Sequence, residues 1–425
     1  MMIRFSHFVL VFLLIFSING FAQNSPGLKI FSPASPNAAS LGKYGETPVG
    51  LYNGTPNINI PLYTLKGRDL ELPISLSYHA GGIKIDEIAS WAGSGWSLNA
   101  GGVITRSVRG MPDDALGGYF GNYATTTTFA KKYLTNLNPT STYGAGMGNA
   151  RNDDILICQD LLANVRDMEP DIFYFNFGKY SGKFFMDENG QFVASPLEAL
   201  KIEYVTGGLN DERITRWIVT TPDGIKYVFG NSLDGNQSAF ENNTTTAMYT
   251  FATTAWYLVE IYSPNGDKIS LTYSDVIYNY TIRSSEVLNL LVDNSGSGSP
   301  VPSRDIQWST NYMRSPRLTS ITSCNGTIAF GVGSDRTDLP GEAPLDNIKI
   351  FDNGDLANPL TKWVFYTDYL TNRLTLDSIS QFSGNGSTQG QTYKFQYNGG
   401  LPDMSPNGTG MNATDLWGYY NGALN

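Results

Sequence analysis

Three stretches of this chain share one form, and that form limits what it can fold into. "LVEIYSPNG" (258–266), "LTSITSCNG" (318–326) and "LDSISQFSGNG" (376–386) each carry Leu-x-x-Ile ahead of a glycine turn. The leucines stand 60 and 58 residues apart. After each turn apolar residues fall at every second position: Ile269, Leu271 and Tyr273, then Ile328, Phe330 and Val332, then Tyr393, Phe395 and Tyr397. Alternation of period two is the pattern of a half-buried strand. Asn-Gly and Asp-Gly are strong hairpin signals because both residues tolerate positive φ. The repeat therefore predicts hairpins, each adding a pair of strands to a growing sheet. "DIFYFNFGKYSGKFF", with Phe173, Phe175, Phe177 and Phe184, and "TPDGIKYVFGN", with Ile225, Tyr227 and Phe229 after Asp223-Gly224, extend the same reading. The predicted fold class is mainly β, an antiparallel β-hairpin array forming twisted sheets.

The hairpin region is assigned to 170–425. Before it, residues 46–110 form a separate β module. In "RDLELPISLSYHAGGIKID" Leu70, Leu72, Ile74, Leu76 and Tyr78 share one face, and Glu71, Pro73, Ser75, Ser77 and His79 the other. Gly81-Gly82 then turns the chain, with Ile83 and Ile85 opening a return strand. Pro73 has no N–H and suits an edge or a strand start. Residues 111–169 are rich in Thr, Asn and Gly without sustained period, and read as a loop-rich insertion with a short helix near Thr128–Leu134. Residues 23–45 are an extended lead-in rich in Ser, Pro and Ala.

Residues 1–22 have the form of an export signal: Arg4, an apolar run from Phe8 to Phe16, and small residues Gly20 and Ala22 before the cut. Nine residues of helix reach about 13 Å, too short for a hydrocarbon core of roughly 30 Å. The expectation is a mature chain secreted or held at the cell surface, with no membrane span. The 28 basic and 38 acidic residues give a net charge of −10, which argues against nucleic acid as a partner. An exported chain can pair Cys158 with Cys324. Their surroundings carry no spacing code, and the expectation is two buried free thiols.

Candidate chemistry is sparse. "IDEIASWAGSGWSLNAGGVITR" (85–106) sets Trp91 and Trp96 among glycines. Gly93-Ser94-Gly95 lacks the G-x-S-x-G of a nucleophile elbow, and no third glycine completes a dinucleotide loop. The stretch reads as a backbone corner filled by large aromatics. Once the leader with His7 is removed, His79 is the one histidine left, on the polar face of its strand. Asp113-Asp114 and Asp153-Asp154 are adjacent acids. Extended, each pair would point to opposite faces; in loops they would be solvated turns. "DENG" at 187 and "DNGD" at 352 do not complete a calcium loop and read as turn chemistry. No catalytic residue, metal ligand or cofactor is assigned.

The motif L-x-x-I-x-S-P-N-G-x-x-I-x-L-x-Y resembles the Rhs/YD-repeat family of bacterial secreted and surface proteins. The earlier module resembles the entry region of Rhs-like and toxin-complex B-type proteins, where an L-S-L-S-Y strand precedes a G-x-G-W-S-L element and an I-x-R strand. Leu76, Ser77, Tyr78, Gly93, Gly95, Trp96, Ser97, Leu98, Ile104 and Arg106 occupy those positions. "DLWGYYNG", Asp415 to Gly422, resembles the segment before the main repeat array. The resemblance covers most of 46–425. It departs from the family in having neither the dense YD-repeat run nor a variable C-terminal toxin domain. It implies a front portion of a hollow β-shell that can enclose a toxin, and a chain that is either the N-terminal fragment of a longer protein or a truncated relative. The expected function is a non-catalytic exported β scaffold in toxin delivery or cell-surface contact. Its partner, protein or surface glycan, is not identified. The alternatives are a carbohydrate-binding module and, third, a secreted glycan-active enzyme.

Overall fold

The structure is a computed structural model, and it describes residues 57–82, 84–115, 117–119, 159, 161–163, 167, 169–187, 191–208, 211–245, 248–290, 302–397, 413, 415 and 417–422. Residues 1–45, Ile83, Thr128–Leu134, Asp153-Asp154 and Cys158 lie outside them. Among the described residues the chain is nearly all antiparallel strand, with one short helical turn near Leu161. No helix there is long and apolar enough to cross a membrane.

In chain order the strands are β1 (Asn57–Lys66), β2 (Glu71–His79), β3 (Trp96–Asn99), β4 (Gly102–Ser107), β5 (Ile172–Phe177), β6 (Tyr180–Met186), β7 (Phe192–Ser195), β8 (Lys201–Gly208), β9 (Asp211–Thr220) and β10 (Lys226–Asn231). They continue as β11 (Ser238–Thr245), β12 (Met248–Tyr262), β13 (Lys268–Leu290), β14 (Pro302–Ser323), β15 (Gly326–Val332), β16 (Leu345–Asp352), β17 (Thr361–Leu370), β18 (Arg373–Ser383) and β19 (Gln389–Lys394). β1, β2 and β3 make a three-stranded sheet in that order; the other sixteen form one large sheet.

Leu72, Ile74 and Leu76 of β2 are buried on one face, as alternation predicts. The return strand is not where Gly81-Gly82 would start it. Lys84 makes only an isolated bridge to Tyr419, and Ile85 is a buried turn residue. The partner is β3, reached after the whole 85–95 corner, with Tyr78 opposite Trp96. Pairing with β3 begins at Ser75, so Pro73 lies where β2 is paired on one side.

The small sheet packs on the large one around a shared core. Leu65, Ile74, Leu76 and Trp96 join Trp217, Trp256, Ile321 and Trp363 in a single apolar cluster. Polar bonds fix the seam: Trp363 Nε1 donates to Leu62 O at 3.1 Å, and Ser94 N to Leu374 O at 2.8 Å. Gly93, at φ 115°, makes that approach possible. A Cβ there would stand 2.9 Å from Leu376 N. Gly93→Ala is expected to lower stability by about 1–3 kcal/mol through backbone strain, read as a shift in the urea midpoint.

The turns use glycine differently from the two-residue expectation. Asp223-Gly224 and Asn265-Gly266 sit in five-residue loops, where only the glycine has positive φ, 82° in both. Ser263 opens the second loop, and its hydroxyl accepts from Asn265 N at 3.2 Å and Asp267 N at 3.1 Å. In the β14–β15 hairpin the turn residues are Cys324 and Asn325, one position earlier than read from Asn325-Gly326. Gly326 belongs to β15, and a Cβ on it would meet Phe351 O at 2.7 Å. The pair with two positive φ values is Thr371-Asn372 (52° and 60°), which closes β17 on β18 without a glycine.

Candidate functional site

In a regular strand, residues i and i+3 point to opposite faces. Leu258 and Ile261, Leu318 and Ile321, and Leu376 and Ile379 nevertheless all lie in one core. A bulge explains each pair. On β12 the pairing to β10 jumps from Glu260 to Leu258 and skips Val259. On β14 the pairing to β13 skips Thr319, and on β18 the pairing to β17 skips Asp377. The extra residue restores both apolar side chains to one side. Leu-x-x-Ile is thus a strand with one inserted residue, always directly after the leucine.

The tyrosine ending the motif completes the device. Tyr273 Oη donates to Leu258 O at 2.8 Å, and Tyr397 Oη donates to Leu376 O at 2.7 Å. In both, the phenol reaches the carbonyl beside the bulge. Burial raises the Tyr273 phenol above its usual range and pushes Tyr397 up to about 12, so both remain donors near neutral pH. The middle unit has Val332 at that position, 42% exposed, and Thr319 Oγ1 instead bonds Thr272 O at 2.9 Å. Tyr397 also accepts from Trp96 Nε1 at 2.8 Å, joining the glycine-tryptophan corner to the third unit. Tyr273→Phe is expected to lower stability by about 1–3 kcal/mol, because a buried carbonyl loses its donor; denaturant titration measures it.

A charged cluster is also buried, and sequence reasoning placed it wrongly. Asp113 and Asp114 are neither solvated nor members of an extended strand; they are turn residues 0% and 2% exposed. Arg106 and Asp171 join them at 2% and 0%. Arg106 Nη1 is 2.5 Å from Asp114 Oδ1 and 3.7 Å from Asp171 Oδ2, and Arg106 Nε donates to Thr253 O at 2.8 Å. The guanidinium lies 5.2 Å from the centre of the Trp256 ring. Asp114 Oδ2 accepts from Ile214 N at 2.7 Å. These groups tie the start of the predicted insertion to β4, β5, β9 and β12. No motif announces the cluster, since Asp171 stands 65 residues from Arg106; the I-x-R form alone singled out one member.

The other expected positions are dispersed. His79 is exposed, and its ring covers Gly81, where a Cβ would stand 2.3 Å from Nε2. Ser94 uses its backbone N–H in the seam. Asp187 accepts from Gln191 N at 2.8 Å, and Asp352 Oδ1 from Asn353 N at 2.8 Å, both turn contacts. Cys324 is a free thiol in an exposed turn, which corrects the expectation of burial. Exposed aromatics include Tyr63 on β1, Tyr312 on β14, Tyr366 on β17 and Trp417 near the C-terminus.

Sequence comparison finds no matching family and no matching curated protein. Among solved structures, the TcdB2-TccC3 crystal structure is similar over 86% of this chain and 16% of that chain, at 12% identity and TM-score 0.38. The Photorhabdus luminescens Tc holotoxin pore is similar over 83% and 16%, at 13% identity and TM-score 0.40. The N-terminal domain of effector protein SpvB from Salmonella typhimurium is similar over 80% and 99%, at 12% identity and TM-score 0.33. The chain therefore spans about a sixth of the length of the two toxin structures.

Proposed function

We propose that this chain is a non-catalytic exported β scaffold, similar to the N-terminal region of an Rhs/YD-repeat protein and working in toxin delivery or cell-surface contact. One observation carries the reading. The three repeat units spend their distinctive residues on building sheet: leucine and isoleucine on the core, the bulge on phasing, and two of the three terminal residues on locking the bulge. The buried carboxylates fit the same role, because Asp113, Asp114 and Asp171 all accept backbone N–H groups. Residues 1–22 fit an export signal and 46–110 the entry module of such a protein.

The test has two arms. Expressed in bacteria with its leader, the chain is expected outside the cytoplasm and shortened near residue 22; full-length chain retained in the cytoplasm overturns export. The purified mature chain is expected to leave an array of bacterial and host glycans unhydrolysed and unbound. Turnover would make it an enzyme. Saturable binding that falls on replacing Tyr312, Tyr366 or Trp417 would make it a carbohydrate-binding module.

A further inference from the structure

Asp113 and Asp171 lie 58 residues apart in sequence and clasp each other through their backbones. Asp171 N donates to both carboxylate oxygens of Asp113 at 3.0 Å, and Asp113 N donates to Asp171 Oδ2 at 2.9 Å. Asp171 Oδ1 takes a further bond from Arg109 N at 2.8 Å. The reciprocal bonds bring the two carboxyl groups together inside the protein, where both residues are fully buried. Among the described residues, few charged groups face them. Arg106 comes from β4, and Asp114 from the adjoining turn. β12 contributes Thr253 O and the Trp256 ring, and β9 the Ile214 N–H, none of them charged. Arg109 is exposed and gives its N–H, while Asp167 accepts from Met111 N at 2.7 Å. With all three carboxyls ionised, one guanidinium would leave two negative charges uncompensated in a buried site, an arrangement that folded proteins avoid by taking up a proton.

We propose that the Asp113–Asp171 pair is a proton-dependent clasp, holding the turn at 109–115 against the start of β5 while one of the two carboxyls is protonated and slackening when both are ionised. The step is a simple ionisation, with the proton passing to water. Burial, reinforced by the neighbouring carboxylate, raises Asp113 well above its ordinary range; burial pushes Asp171 up to about 6, against the pull of Arg106. For carboxyls raised in the folded state, the stabilisation is complete below the unfolded Asp value of about 3.9. It is lost as pH rises through the folded values. The clasp is therefore tightest in acid and weakens as pH rises from about 4 through about 6 and on toward the higher Asp113 value, the opposite of an ordinary salt-bridged aspartate.

Amide exchange on the intact mature chain tests this, with protection factors normalised for intrinsic exchange at pH 4.5 to 8. Protection at Arg109, Asp113 and Asp171 is expected to fall about 10- to 100-fold across the range, since one to two pKa units correspond to that change in equilibrium. Leu271 and Ile321, in the β13–β14 ladder, serve as references and are expected to stay level. Asp113→Asn supplies a permanently neutral group and is expected to make protection at Arg109 and Asp171 independent of pH. Protection in the unmodified chain that stays level or rises with pH overturns the clasp, as does an Asp113→Asn chain that keeps the original pH dependence. If that variant does not fold, the titration of the unmodified chain decides alone.

Discussion

Arg106→Met is expected to cost about 3–5 kcal/mol at neutral pH, the range for removing one partner of a buried ion pair. Methionine fills much of the aliphatic volume, so the loss isolates charge and hydrogen bonding from packing. Three things go together in the variant. Asp114 loses its 2.5 Å partner, Thr253 O loses a donor, and the acids of the cluster lose the one cation that faces them among the described residues. Lys66→Met provides the contrast. Lys66 and Glu71 are 3.4 Å apart but 67% and 62% exposed, and such a pair is worth less than about 1 kcal/mol. Urea titrations of both variants measure the difference; an Arg106→Met chain within 1 kcal/mol of the parent would show that the cluster does not bear on stability.

Insertion of an alanine between Ser320 and Ile321 is expected to abolish the cooperative unfolding transition. The added residue comes on top of the bulge at Thr319, so it puts Leu318 and Ile321 on opposite faces of β14, and a shift of one residue carries every later side chain across the sheet. Ile321 is completely buried and lies opposite both Leu271 and Ile328. Exposing buried leucine- or isoleucine-sized groups costs about 1.5–3 kcal/mol each. Several together exceed the 5–15 kcal/mol that holds a domain folded. Thr319→Ala keeps the bulge and loses only the bond to Thr272 O, so about 1 kcal/mol is expected. Thermal unfolding followed by tryptophan fluorescence separates the outcomes. An insertion variant that melts within a few degrees of the parent would mean that the added residue can be absorbed elsewhere.

Much of the architecture was legible because it rests on local rules. Alternation at Leu70–Tyr78 and Phe173–Phe177 marked strands, and the glycines of 93–101 marked a corner filled by Trp91 and Trp96. The β-hairpin array was legible for the same reason. Interactions between distant segments were not. Nothing in "MPDDALGG" distinguishes acids that turn inward from acids that stay wet; only the arrival of Arg106 and Asp171 makes burial tolerable there. The return strand was placed too early because Ile83 and Ile85 mimic a strand start, whereas the corner after them must first reach across to Leu374 and Leu376. The tight turn at Thr371-Asn372 carries no glycine to announce it. Leu-x-x-Ile was visible as a repeat, but its spacing of three contradicts a flat strand, and only the skipped residue in the ladder explains it.

That skipped residue also governs curvature. A bulge sharpens the right-handed coil of its strand, and here the kink falls at the same point on β12, β14 and β18, next to the same leucine. Each unit brings its own increment of bend and, in the first and third, its own phenolic bolt to keep it. Such a surface can gain or shed units while its arc stays constant, as a masonry vault can when every stone is cut to one angle.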